Sequence, residues 1–150
     1  MEIISIIIAV SSAVLSVITY IKTYQYEKRK ETIKMFNILQ NEVLDNFVCI
    51  KNNNAKLIIE NLDNEECKKA YNDYRILIAR LEQFSAGVRE KIFDFKTVDK
   101  IAGSHFIYLY LKVKPIIDEA NKNETKIVNY CQFIELVKKL NKKHKILEVL

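Results

Sequence analysis

The sequence predicts an all-α protein in which one N-terminal transmembrane helix continues into a cytosolic helical bundle. Residues 3–21 form a run of nineteen residues without a charge. Only two glycines and one proline occur in 150 residues, so the chain has little turn chemistry. No segment sustains the alternation of apolar and polar residues that marks a half-buried strand.

The uncharged run is long enough to cross a membrane. At ~1.5 Å per residue, a helix of this length spans about 28 Å, close to the ~30 Å hydrocarbon core. Glu2 precedes the run, and no small-residue cleavage site follows it. We therefore predict an uncleaved anchor at residues 1–22 and a cytosolic α-helical domain at 23–150. A cleaved signal peptide and a buried soluble helix are the alternatives.

Basic residues follow the anchor and predict its orientation. They are Lys22, Lys28, Arg29 and Lys30. Because positive charge is retained on the cytoplasmic side, we expect the N-terminus to face outward and the residues from about 22 onward to be cytosolic. We also expect these four side chains to lie at the membrane surface, against lipid phosphates.

Small residues recur along the anchor with a period of 3.5, which keeps one face turned toward a partner helix. We call this face the seam; it consists of Ser5, Ala9, Ser12, Ser16, Thr19 and Thr23. In lipid, helices associate through close backbone approach and side-chain hydrogen bonds. The seam is compatible with a helix–helix oligomer, with the lining of a pore, or with a single anchor whose hydroxyls bond to their own helix.

Apolar spacing predicts the helices that follow. The anchor helix is expected to continue to about residue 50, because apolar residues recur there at spacings of three and four. A short helix over 55–61 comes next. Asp63 or Asn64 then caps a long amphipathic helix, whose apolar stripe runs from Cys67 to Val88.

The C-terminal third is expected to contain three further helices. Asp94 caps a short helix over residues 96–102, and Gly103 breaks the chain. His105 then begins an apolar helix that ends near residue 117. A last amphipathic helix spans about 128–140.

Composition narrows the function classes. A net charge of +5 fits the positive-inside rule and attraction to anionic lipid, and it is a weak signal for nucleic acid. The three cysteines, Cys49, Cys67 and Cys131, lie far apart and fit reduced cytosolic thiols.

The residue patterns predict no catalytic centre, no metal site, no cofactor and no small-molecule substrate. We expect the lipid bilayer and further copies of the chain as partners.

Two residue pairs have the spacing of a ribonuclease motif. Lys100 precedes His105, and Lys139 precedes His144, each with four residues between them. HEPN nucleases use Arg at that distance from His, and no arginine of this chain has it. Lysine lacks the bidentate fork of arginine, so the resemblance predicts at most a degenerate nuclease. We expect His105 at a helix start and His144 at the surface.

Several positions together resemble a family of small bacterial membrane-anchored, all-helical proteins of unknown function. They are Arg29–Thr32, the segment from Ile78 through Glu82 to Arg89, Asp94, Gly103, and Pro115–Ile117. The chain departs from the pattern at Lys91, where the family usually has a small residue. The resemblance implies an architecture and no reaction.

The same architecture is similar to the small membrane accessory protein of type VI-B CRISPR systems. That similarity implies a membrane pore, antiviral defence, and a cytosolic protein or RNA-guided effector as partner. Three hypotheses follow: a self-associating, membrane-perturbing effector, a non-conducting scaffold that tethers a cytosolic partner, and a degenerate HEPN-type ribonuclease.

Overall fold

A computed structural model describes residues 2–41, 54–122 and 129–147. The helices in these residues are α1 (Glu2–Leu39), α2 (Ala55–Glu60), α3 (Glu65–Arg89), α4 (Phe95–Asn121) and α5 (Cys131–His144). No strand occurs in the three described ranges. The predicted all-α fold, with a long N-terminal helix continuing into a bundle, is confirmed. The predicted extension of the anchor helix to residue 50 falls largely outside the described residues, and so does Cys49.

Two of the predicted helix caps are confirmed. The Asn64 side chain accepts a hydrogen bond from Glu66 N at 2.8 Å and so starts α3. The Asp94 carboxylate accepts hydrogen bonds from Thr97 N at 2.9 Å and from Thr97 Oγ1 at 2.7 Å, at the start of α4. Both residues satisfy backbone N–H groups that the first helical turn leaves without a partner.

The predicted break at Gly103 is wrong, because α4 runs without interruption from Phe95 to Asn121. Gly103 is buried, and a Cβ atom there would lie 2.6 Å from His144 Nε2 and 3.1 Å from Asp99 Oδ1. The glycine therefore lets the end of α5 approach α4, which offsets the ~1 kcal/mol that Gly costs inside a helix. His105 consequently lies within α4 and not at a helix start.

An aromatic cluster joins three of the bundle helices to α1. The rings of Phe84 in α3 and Phe106 in α4 stack at 5.8 Å, and Phe133 of α5 lies 6.3 Å from Phe106. Phe36 of α1 contacts both Phe84 and Phe106, at 6.4 and 6.2 Å. The C-terminal part of α1 is therefore part of the bundle core.

A carboxylate from another helix caps α5. Tyr130 precedes α5 with a left-handed φ of 63° and makes no side-chain capping bond. Glu82 of α3 supplies the acceptors instead, with Oε1 3.0 Å from Gln132 N and Oε2 2.7 Å from Phe133 N. The negative charge also lies at the positive end of the α5 dipole. Glu82 therefore fixes where α5 begins on the surface of α3.

A buried hydroxyl ties α1 to the turn between α3 and α4. Thr32 is fully buried. Its Oγ1 donates to the Lys28 carbonyl at 2.7 Å and accepts from Asp94 N at 2.8 Å. These two bonds fix the height at which α1 passes the α3–α4 turn.

Replacement of Glu82 tests the cap. Glu82→Ala leaves two N–H groups of α5 without acceptors, so we expect a loss of about 1–3 kcal/mol in the free energy of unfolding. Gln83→Ala, at the exposed neighbouring position, should change it by less than about 0.5 kcal/mol. Denaturant unfolding followed by circular dichroism measures both, and equal effects would contradict the capping role.

Replacement of Thr32 tests the junction. Thr32→Val keeps the shape but removes the acceptor of the Asp94 N–H, which should cost about 1–3 kcal/mol. Ser11→Val removes a hydroxyl at an exposed position of α1 outside the seam, and the bundle should keep its stability. Thermal unfolding in detergent compares the two variants, and an unchanged midpoint for Thr32→Val would show that the bond is dispensable.

Candidate functional site

The N-terminal part of α1 is an isolated apolar helix. Its isoleucine, valine and leucine side chains from residue 3 to residue 21 are exposed. Within the described part of the chain, α1 is the one helix long and apolar enough to cross a membrane, judged by length and composition. The predicted division at residues 22 and 23 falls inside this helix, which continues through it without a break.

The seam residues are exposed along α1. Ser16 Oγ donates to the Ser12 carbonyl at 2.9 Å, and Thr19 Oγ1 donates to the Leu15 carbonyl at 2.8 Å. The hydroxyl protons of these two residues are thus used inside their own helix, while each oxygen can still accept a hydrogen bond. The seam is a strip of small side chains with acceptor oxygens.

The four basic residues after the anchor occupy different environments. Lys22, Arg29 and Lys30 are exposed, and Lys30 forms an exposed ion pair with Glu27 at 4.0 Å. Lys28 is half-buried, because it faces the bundle. The structure therefore assigns Lys28 to a second site, which spacing in the sequence did not indicate.

This second site is a cleft of about 410 Å³ between α1, the α3–α4 turn and α5. Buried Ser85, Val88 and Leu136 and half-buried Phe93 and Phe95 are part of its lining. Its charged lining residues are the five cations Lys28, Arg89, Lys91, Lys96 and Lys139 and the two acids Asp94 and Glu135. We call it the basic cleft; its volume is typical of a small-molecule site.

The acids of the basic cleft leave it positive. Burial raises the pKa of Asp94, but the hydrogen bonds from Thr97 and the nearby positive charges of Arg29 and Lys28 lower it more, so it lies below its usual value. The ionised carboxylate is occupied by Thr97 as the cap of α4. Lys139 extends over the Phe95 ring, with Nζ 4.1 Å from the centroid, in cation–π geometry.

Lys91 has a left-handed backbone at the rim of the basic cleft, with φ of 59°. It follows the end of α3, where Lys91 N bonds to the Val88 carbonyl at 3.2 Å and Ile92 N bonds to the Gly87 carbonyl at 2.9 Å. This is a Schellman motif, and its left-handed position usually holds glycine. Lys91 is also the residue at which the sequence departs from the family pattern that it resembles.

Apart from the basic cleft, a cluster of polar side chains lies between α4 and α5. Asp99 is buried, pairs with the ammonium of Lys143, and lies 2.7 Å through Oδ1 from His144 Nε2. The hydrogen bond from Lys143 lowers the pKa of Asp99, burial raises it, and the bond with His144 lowers it again, so the pKa lies below its usual value. Spacing in the sequence did not indicate Asp99, because its partners lie more than forty residues away.

The four residues of the HEPN-like pairs lie in three different settings. Lys100 and His105 are exposed on α4. Lys139 faces Phe95, and His144 contacts Asp99. In the part of the chain that the structure describes, no three His, Cys, Asp or Glu side chains are grouped closely enough to hold a metal ion.

Comparison with protein families gives one match. The model of a domain of unknown function (DUF4760) matches residues 6–140, from the first turns of α1 to the last turns of α5. No curated protein and no solved structure matches the chain. An uncharacterised domain family, the coarser part of the predicted resemblance, is therefore confirmed.

Removing the Asp99 carboxylate tests the polar cluster. Because the folded-state pKa is lowered, the charge stabilises the fold above the unfolded-state value of about 3.9 and loses this effect as the pH falls below it. We expect Asp99→Asn to cost about 1–3 kcal/mol at neutral pH and to flatten the loss of stability in acid. Asp118→Asn, at an exposed ion pair of the same helix, should cost less than about 1 kcal/mol. Unfolding curves from pH 3 to 7 would contradict the assignment if the two variants behaved alike.

Proposed function

The chain belongs to the DUF4760 family of unknown function, and we propose that it is a single-pass membrane protein that self-associates through the seam of α1 and perturbs the membrane. In this proposal the N-terminus faces outward from the bacterial inner membrane and the bundle is cytosolic. The observation that carries the proposal is the N-terminal part of α1, whose apolar side chains are exposed and lie outside the core cluster of the bundle.

Exposed apolar surface on this scale needs a covering. Ile3, Ile4 and Leu15 are each more than 60% exposed, at 73%, 64% and 64%. Each such side chain gains about 1.5–3 kcal/mol when it leaves water. A bilayer covers all faces of α1 at once, and helices of other copies cover the seam.

Small residues on the seam support association in lipid. Ser5, Ala9, Ser12 and Ser16 allow two helix backbones to approach closely, which is what drives helix association where lipid is as apolar as leucine. The acceptor oxygens of Ser16 and Thr19 can take hydrogen bonds from a second helix or from water. Both a closed oligomer and a wettable pore make use of this surface.

The continuous helix couples the anchor to the bundle. Because α1 runs from the apolar segment through Thr32 to Phe36, a rotation of the anchor also moves the bundle end. Gathering several anchors would therefore bring several bundles together on the cytosolic side. A cytosolic protein or an RNA-guided effector that binds the bundle could control the assembly, and the architectural similarity to the CRISPR accessory protein suggests antiviral defence as the setting.

A second candidate function is a membrane-tethered scaffold that does not conduct. Ile101, Tyr108 and Leu111 leave apolar side chains exposed on α4, at 42%, 55% and 45%. Such a surface suits a protein partner. No contact of the described residues favours the ribonuclease hypothesis, which stays a prediction.

Leucine substitutions at neighbouring serines test the seam. Ser12→Leu places a large side chain on the seam, whereas Ser11→Leu makes the same change about 100° around the helix. We expect Ser12→Leu, alone or with Ser16→Leu, to shift the protein toward monomers and to lower ion leakage from vesicles at least about tenfold, the equivalent of ~1.4 kcal/mol. Ser11→Leu should retain both properties.

Light scattering in detergent and dye release from vesicles measure the two effects. Equal behaviour of the Ser11 and Ser12 variants would overturn the seam. Assembly that depends on Ser12 without any leakage, together with function retained on an unrelated anchor, would favour the scaffold.

A further inference from the structure

We infer that the basic cleft binds a phosphate group, carried by a lipid headgroup or by a free molecule of nucleotide size. This inference goes beyond the proposed function and does not depend on self-association, because the cleft is formed within one chain.

Lysines that form no direct ion pair are the first argument. Among the described residues, no carboxylate lies within 4 Å of the ammonium groups of Lys28, Lys91 or Lys96, whereas Arg89 pairs with Glu90 at 2.9 Å. These three lysines come from α1, the α3–α4 turn and α4, and folding brings them to one concave surface. A phosphate held at this surface would be attracted by all three charges.

The first turn of α4 is the second argument. Asp94, Phe95 and Lys96 line the basic cleft and form the start of this 27-residue helix. The first N–H groups of a helix have no partner within it, and the helix dipole makes this end positive. The Asp94 carboxylate already accepts from Thr97 N, so the donors that this end of α4 can offer to a phosphate, beside the lysines, are the N–H groups of Phe95 and Lys96.

The backbone of Lys91 is the third argument. A lysine at the left-handed position of a Schellman motif is less stable than glycine, because its Cβ crowds the backbone. Here that residue carries a charge into the basic cleft. The Schellman turn thus sets the position from which Lys91 lines the basic cleft.

The distance to the membrane is compatible with both sources of phosphate. Lys28 lies six residues beyond Lys22, about 9 Å along the helix axis at ~1.5 Å per residue. That height lies just beyond the headgroup layer, which adds roughly 5–8 Å to each side of the hydrocarbon core. Lipid phosphates and phosphates dissolved in the cytosol can therefore both reach the basic cleft.

A matched pair of lysine substitutions tests the inference on the full-length protein in nanodiscs. Lys91→Gly and Lys145→Gly each remove one charge from a left-handed position, with φ of 59° and 52°, but only Lys91 lines the basic cleft. Both variants should raise the melting temperature, by roughly 2–8 °C. Only Lys91→Gly should weaken phosphate binding, by about tenfold. Lys96→Gln, an exposed change on the rim, should weaken it as well.

Two arms distinguish the source of the phosphate. In phosphatidylcholine nanodiscs, calorimetry measures the binding of pyrophosphate. If wild type and Lys145→Gly bind it saturably and Lys91→Gly binds it more weakly, the ligand is a soluble phosphate. In nanodiscs with phosphatidylglycerol, native mass spectrometry counts the lipids that each protein retains. If wild type and Lys145→Gly retain lipid and Lys91→Gly loses it, the ligand is a lipid headgroup. If neither arm separates Lys91→Gly from Lys145→Gly, the inference is overturned, whatever the Ser12 variants do.

Discussion

The hydrogen bond from Asp94 N to Thr32 Oγ1 is the constraint on which the arrangement of the molecule depends. It joins residues 62 positions apart and links α1 to the turn between α3 and α4. Since α1 is one continuous helix, the position of Thr32 also determines those of Lys28 one turn earlier and Phe36 one turn later. Lys28 is thereby placed in the basic cleft, and Phe36 is placed against Phe84 and Phe106. The anchor, the core and the cleft are therefore connected through the same helix.

Two locally unfavourable features of the chain are explained by contacts between helices. Tyr130 begins α5 without a capping side chain, and Glu82 supplies the acceptors from α3. Gly103 weakens a helix interior and gives His144 room to reach Asp99. Each of these costs local stability and gains a contact between helices, which is how a small helical domain specifies one packing arrangement.

The proposed functions use two surfaces at opposite ends of the same helix. The seam lies in the apolar part of α1 and is proposed to contact other copies, whereas the basic cleft lies where α1 enters the bundle and is proposed to bind a phosphate. Because the helix between them is continuous, a ligand in the basic cleft and an association at the seam would be linked through α1. Such a link is reciprocal: association would change anion affinity by the same factor as the anion changes association.

The sequence by itself determined the features that depend on neighbours in the chain. Helical periodicity and the scarcity of Gly and Pro predicted the all-α fold, and nineteen uncharged residues predicted the long apolar helix. Asp94 was predicted as one cap, and Asp63 or Asn64 as another. A cap acts on the next three residues, and an apolar stripe has a fixed period, so both can be read from a short segment.

Tertiary structure alone decided the contacts between distant residues. The pairs Glu82–Phe133, Asp99–His144 and Thr32–Asp94 are separated by 51, 45 and 62 positions. The lysines of the basic cleft likewise come from separate segments. Lys28 differs from Arg29 and Lys30 only because α1 packs on the bundle with Lys28 facing the cleft. Gly103 was predicted as a break because sequence shows only the local cost of a glycine. The space that it leaves for His144 exists only once α5 is packed against α4, since the angle at which helices cross is set by the whole core.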